Sequence, residues 1–243
     1  MSNWKTIFVK MIFTRFGRYI ALLIYAIKQP PTLFRYRAGN ENDKDSLINN
    51  YIWLSNITEV NDEFEGLNEI RYNKVKLNYD FLREELKNRV DSIIEEVREK
   101  FYIACFTETE TNDEMWKEYA NKGQGYCVEY YFSDFKEFLF PVIYTQSKLV
   151  DIDDFDDNEM RRSLITKYQK WSKENEWRIL WPYDEKKKKG KKIEQPKPKA
   201  IYMGNNISTD LYQFLMDYCN DNYIDLYQMK EDTNGNLYAE SIS

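Results

Sequence analysis

The chain reads as an α+β protein: a single mixed or antiparallel sheet with helices around it, preceded by a basic amphipathic helix. Three observations predict this class. Short β-branched and aromatic runs alternate with helical stripes along the chain. Aromatics make up 16% of the 243 residues, against eight Gly and six Pro, the composition of a packed globular chain. Over 80–100 the apolar positions Leu82, Leu86, Val90, Ile93, Ile94 and Val97 fall on one helical stripe. The length suits one domain with an appendage, which we divide into a helix at 1–31 and a domain at 32–243.

The opening segment has Trp4, Ile7, Phe8, Met11 and Ile12 at helical spacing, and its run 19–27 is apolar until Lys28 and the stop at Pro30-Pro31. The run is too short to cross a bilayer, and Arg15 and Arg18 precede it. No small-x-small cleavage site follows it. We expect the helix to dock on the domain, burying Trp4, Ile7, Phe8 and Met11, with no membrane partner. Strands are then predicted at 33–37 and 51–55, with a short helix at 45–50 between them and the long helix at 80–100 after them. Further strands follow at 101–107, 125–132 and 141–144, with a helix at 113–120. The acidic loop 151–157 leads into a helix ending near Lys170, and 171–178 and its continuation read as a strand. The lysine-rich stretch 186–199 reads as a solvated loop, followed by strand 200–203, helix 209–219, strand 223–230 and a polar tail.

Composition removes several kinds of chemistry. There is no histidine, so Ser-His-Asp and Cys-His catalysis and His-ligated zinc are excluded. Cys105, Cys127 and Cys219 are far apart and odd in number, which argues against a disulfide framework or zinc ribbon and for a reducing, cytoplasmic setting. General acid and base work falls to Asp, Glu, Lys, Tyr or Cys. Net charge is −6, yet residues 1–40 hold seven of the 35 bases and none of the 41 acids, so the remainder stands at −13. That acidity argues against a broad nucleic-acid footprint.

The stretch WSKENEWR, 171–178, sets Glu174 and Glu176 two residues apart. On a strand they share a face, so the pair is either solvated or meant to meet something cationic; Arg178 is assigned to the opposite face. In chain order the distinctive residues are Tyr36-Arg37, Trp53-Leu54-Ser55, Asn61-Asp62-Glu63-Phe64-Glu65, Cys105-Phe106-Thr107-Glu108, Met115-Trp116-Lys117-Glu118-Tyr119 with Gly125, and Trp171 through Glu174 and Glu176 to Arg178. This order resembles a bacterial family, domain of unknown function 2971, over about 33–204. The chain departs from the family's pattern at Glu63, where Pro is usual.

A basic residue on an early strand, a hydroxyl on the next and a late Glu-x-Glu also resemble ADP-ribosyltransferases of the Arg-Ser-Glu type, through Arg37, Ser55, Glu174 and Glu176. That likeness implies a cytoplasmic enzyme, or a toxin or defence effector against phage, which uses NAD as substrate and needs no metal. A carboxylate would stabilise the ribosyl cation, Arg37 would fork onto the pyrophosphate, and Tyr36 or Trp53 would stack on nicotinamide. Asn61, Asp62, Trp116 and Tyr119 join the candidate site. The acceptor would be a protein or a nucleic acid. A second reading is a non-enzymatic binding or sensor module for a nucleotide-like molecule. A third is a nuclease-like or nucleic-acid-binding protein with Asp62, Glu65 and Glu108 converging on a metal. On the bland side, Arg37 pairs with Asp62, Ser55 caps a turn, Trp116, Tyr119, Trp171 and Trp177 are packing, and Cys105 is a small buried hydrophobe.

Overall fold

The computed structural model describes residues 3–57, 69–71, 84–85, 88, 91–92, 101–146, 149–151, 161–182 and 189–242. The α+β class is as the sequence predicts, but among the described residues the strands divide between two five-stranded sheets and two small parallel pairs instead of forming one sheet. The first sheet runs β1 (Thr32–Arg37), β5 (Tyr126–Tyr131), β12 (Ala200–Met203), β13 (Asp225–Glu231) and β14 (Leu237–Ser241). It is antiparallel except where β12 meets β13 in parallel, with the helix Thr209–Asn222 between them in sequence. The second runs β11 (Gly190–Glu194), β2 (Tyr51–Asn56), β4 (Phe101–Phe106), β10 (Trp177–Pro182) and β6 (Leu139–Pro141), antiparallel throughout. The small pairs are β3 (Glu69–Arg71) with β8 (Leu149–Asp151), and β7 (Ile143–Thr145) with β9 (Thr166–Tyr168).

The two large sheets meet at a bridge between Phe34 and Thr107, each amide donating to the other's carbonyl at 2.9 Å. On β1, Leu33 packs into the main core while Phe34 and Tyr36 point to a second apolar cluster with Trp116, Cys127 and Tyr202. Arg35 and Arg37, alternating with them, are thereby turned toward the cleft beside this bridge. Gly125, immediately before β5, makes the approach of the chain to β1 feasible: a Cβ there would stand 2.0 Å from the Arg37 carbonyl oxygen.

Several elements differ from the sequence reading. The opening segment is two helices, α1 (Asn3–Ile12) and α2 (Gly17–Lys28), broken where Thr14 Oγ1 donates to the Met11 carbonyl and accepts from the Gly17 amide. α1 docks as expected through Phe8 and Val9, which are fully buried, and through Trp4 against Trp177; Ile7, expected to be buried, is exposed. α2 buries Ala21 and Tyr25, whose hydroxyl donates to the Leu139 carbonyl at 2.8 Å. The helix α3 (Glu41–Ile48) starts four residues earlier than predicted, because Asn40 and Asp43 close a capping box. Of the segment predicted as a helix up to Lys170, residues 161–163 are helical and 152–160 lie outside the described residues, but 166–170 instead supply strand β9 and the start of a 3₁₀ helix, Gln169–Glu174. The lysine-rich loop contains the edge strand β11, and the polar tail contains β14. Of the helix predicted at 80–100, residues 84, 85, 88, 91 and 92 are helical, and the other positions lie outside the described residues.

Candidate functional site

A cleft of about 430 Å³ opens beside the Phe34–Thr107 bridge, a volume suited to a small molecule. Its walls come from β1, β4, Lys167 of β9, the 3₁₀ helix Gln169–Glu174 and Glu176 two residues beyond it, and from Met115 and Tyr119 of the helix Asp113–Tyr119. The WSKENEWR stretch is not the strand we expected. Its first half is 3₁₀, Asn175 turns through the left-handed region at φ 45°, and only then does β10 begin. Glu174 and Glu176 still reach the same place, by way of this turn instead of by strand alternation.

What meets the two acids is Lys167, from β9. Its Nζ donates to Glu174 Oε2 at 2.7 Å and to Glu176 Oε2 at 3.1 Å, with all three side chains buried. Arg178, fully buried and not on the opposite face, grips Glu176 through Nε to Oε1 at 2.6 Å and Nη2 to Oε2 at 3.2 Å, and donates from Nη1 to the Leu164 carbonyl. Tyr119 completes the group, its hydroxyl donating to Glu174 Oε1 at 3.0 Å. Two acids and two bases thus balance. Burial works against the Lys167 ammonium, but Glu176 and then Glu174 outweigh it and hold the lysine above its ordinary range. Burial pushes the Glu176 carboxyl upward, with Lys167 pulling it back. Cys105, beside Glu176 in the wall, is held well above its usual thiol range by burial and then by that carboxylate, which makes it an inert lining group and not a nucleophile.

Across the cleft stand two arginines in different states. Arg37 Nη1 lies 3.5 Å from Asp43 Oδ1, and Asp43 also caps α3 by accepting from the Gly39 and Asn40 amides. Arg35 is buried. Its Nη2 donates to the Trp53 carbonyl at 2.9 Å, its guanidinium lies over the Phe106 ring, and its Nη1 has no hydrogen-bond partner among the described residues. Burial, and then the neighbouring Arg37, push its pKa down to about 9, so it remains cationic at neutral pH. Trp171 also lines the cleft, under Lys167 and Lys170, and its Nε1 likewise lacks a partner among the described residues. Both groups are donors, and both suit an acceptor-rich ligand.

Of the residues singled out in the sequence, the cleft brings together Tyr36, Arg37, Ser55, Tyr119, Glu174 and Glu176. Trp116 is not among them: it is buried against Tyr36 in the second apolar cluster, with Nε1 donating to the Glu110 carbonyl. Tyr36 spends its hydroxyl on the Thr109 carbonyl and the Asn112 amide. The Trp53 ring lies against Gly190, where a Cβ would come within 2.3 Å of it, and so does not enter the cleft. Glu108, expected to converge with other acids, instead accepts from Trp177 Nε1 and Lys5 Nζ at the base of α1. Asn61, Asp62 and Glu65 lie outside the described residues. Among the described residues no group of three His, Cys, Asp or Glu side chains is arranged to hold a metal ion. The sequence reading missed Arg35, Lys167 and Trp171 as site residues. The signal for Lys167 was its place in a β-branched and aromatic run, Ile165-Thr166-Lys167-Tyr168, where a lysine on a short strand must find a partner.

No family model matches the chain, and neither a curated protein nor a solved structure matches it significantly.

Proposed function

We propose that the cleft binds a nucleotide-like anionic small molecule, and that ADP-ribosyl transfer from NAD is the reaction its residues serve. One observation carries the reading: Arg35 holds a buried, charged guanidinium in the cleft wall with Nη1 unsatisfied among the described residues. A buried charged donor without a partner is costly, and a phosphate oxygen would remove that cost. Arg35, more than the Asp43-bound Arg37, is therefore our phosphate ligand, with Ser55 and Trp171 Nε1 as further polar contacts.

In ribosyl transfer the bond from ribose C1′ to the nicotinamide nitrogen breaks and the base leaves with the electron pair. The sugar then carries positive charge until an acceptor nucleophile, losing its proton, bonds to C1′. Glu176 is committed to Arg178 and Lys167, so Glu174, which meets one cation, Lys167, at Oε2 and at Oε1 accepts among the described residues from the Tyr119 hydroxyl alone, is the better carboxylate for the ribosyl cation. The resemblance to domain of unknown function 2971 and a cytoplasmic location belong to the same proposal; the three cysteines are all free, as a reducing setting would have them.

The sensor reading is favoured by one specific feature, the full neutralisation of both acids at rest. Calorimetry with NAD and ADP-ribose, run beside an assay of nicotinamide release, decides between them. We expect binding that Arg35→Ala lowers at least tenfold, and release that Glu174→Gln abolishes while binding persists. Binding without release in the wild type would establish the sensor. Absence of binding to either ligand would remove the whole proposal.

A further inference from the structure

We infer that α2 is a docking element for an anionic lipid surface, independent of the cleft and of any reaction there. The helix has twelve residues, GRYIALLIYAIK, whose only charges, Arg18 and Lys28, stand at its two ends. Ala21 and Tyr25 face the domain and are buried. The opposite side is apolar and open: Phe16 is 85% exposed, Ile27 77%, Tyr19 70% and Leu23 66%, with Ile20 beside them. At 100° per residue Phe16, Ile20, Leu23 and Ile27 form one stripe along the outer face. A continuous stripe of large apolar side chains on the outside of a folded chain marks an interaction surface.

Charge identifies the occupant. Lys10 on α1, and Arg15, Arg18 and Lys28 at the two ends of α2, are exposed, and residues 1–40 contain no acid. Next to the helix lies a groove with Arg15, Arg18 and Arg161 among its lining residues, along with Phe13, Phe138 and Phe140, and among the described residues no carboxylate lines it. Three arginines and three phenylalanines lining one groove form a fitting seat for a phosphate headgroup at the level where acyl chains begin. A second copy of the chain fits worse. An antiparallel pairing of two α2 helices would set Arg18 against Lys28 of the other copy, and a parallel pairing would set Arg18 against Arg18, with no acid in either opening segment to answer them. Nor does α2 span a bilayer: no helix among the described residues is long and apolar enough to cross one. It is suited to lie in the interface plane, apolar face down and bases toward the headgroups.

This reverses our expectation that the opening segment has no membrane partner. That expectation treated 1–31 as one helix, whereas the break after Ile12 gives cover to α1 and leaves α2 open.

The test is sedimentation of the full chain with vesicles of phosphatidylcholine alone and of phosphatidylcholine mixed with phosphatidylserine. We expect partition onto the anionic vesicles only, weakened by salt, lost in Leu23→Asp/Ile27→Asp, and reduced about fivefold per base removed in Arg15→Gln and Arg18→Gln. All four positions are exposed, so circular dichroism and melting should match the wild type. Failure to sediment with anionic vesicles, or equal partition onto both kinds, overturns the inference. A concentration-dependent dimer dissolved by Leu23→Asp/Ile27→Asp, without vesicle binding, overturns it in favour of a second copy.

Discussion

Glu174 and Glu176 stand two residues apart but carry different loads. Glu176, 3% exposed, is bound at both oxygens by Arg178 and Lys167, so Glu176→Gln removes the negative charge that these two buried cations share and should cost about 3 to 5 kcal/mol in urea denaturation. Glu174→Gln keeps an acceptor for Tyr119 and leaves Lys167 its bond to Glu176, so the loss should be smaller, about 1 to 3 kcal/mol. An activity loss in Glu176→Gln therefore means nothing until its melting curve is known, whereas Glu174→Gln reads chemistry more directly. Arg35 gives a pH signature. An anion stabilises its protonated form, so above the free-state pKa of about 9 binding must first take up a proton. Affinity should hold through neutral pH and fall as pH rises past that point, by up to about tenfold per pH unit, as calorimetry across the alkaline range would show. The sequence reading chose Arg37 over Arg35, its alternate on the same strand, and nothing local to that strand corrects the choice. Which one is neutralised depends on Asp43, and Asp43 points at Arg37 because a capping box fixes its helix.

The elements that carry strong local patterns were legible. Strands β1, β2, β4, β5, β12 and β13 and the helices Asp113–Tyr119 and Thr209–Asn222 fall where β-branched runs, stripes and capping residues put them. The stretch 171–178 was misread because polar and aromatic alternation imitates a strand, while the decisive residue, Asn175, reveals itself only by adopting a left-handed backbone. β11 was hidden for the opposite reason: Lys191 and Lys192 look solvated, and Lys192 is exposed while Lys191 lies half-buried over the Trp181 ring, yet lysine is what protects the edge of a sheet. Gly125 belongs to this scale too. Gly125→Ala would drive a methyl into the Arg37 carbonyl, disturbing the end of β1 that presents both arginines. We expect a loss of about 2 to 3 kcal/mol together with weakened ligand binding, which separates this site from a mere surface glycine.

At the scale of the molecule, the division into two sheets was not legible, because it rests on pairings between residues far apart, such as β1 with β5 and β2 with β11. The opening hairpin was legible as amphipathic, and its packing role follows from Phe8, Val9 and Tyr25 lying against the layer that holds Trp177, Phe132 and Leu139. Removing 1–31 should lower stability by on the order of 5 kcal/mol, seen as an earlier urea midpoint with dye-binding apolar surface. The bridge at Thr107 has a further consequence. Its backbone joins the two sheets through Phe34, and its hydroxyl donates to the Glu174 carbonyl, so one residue fastens the sheets to each other and to the acid cluster. The cleft can gape only if that fastening lets go. The amides of Phe34 and Thr107 should therefore exchange with deuterium together, as a single opening event, and a molecule lodged in the cleft should slow both by the same factor, making these two protons a direct gauge of occupancy.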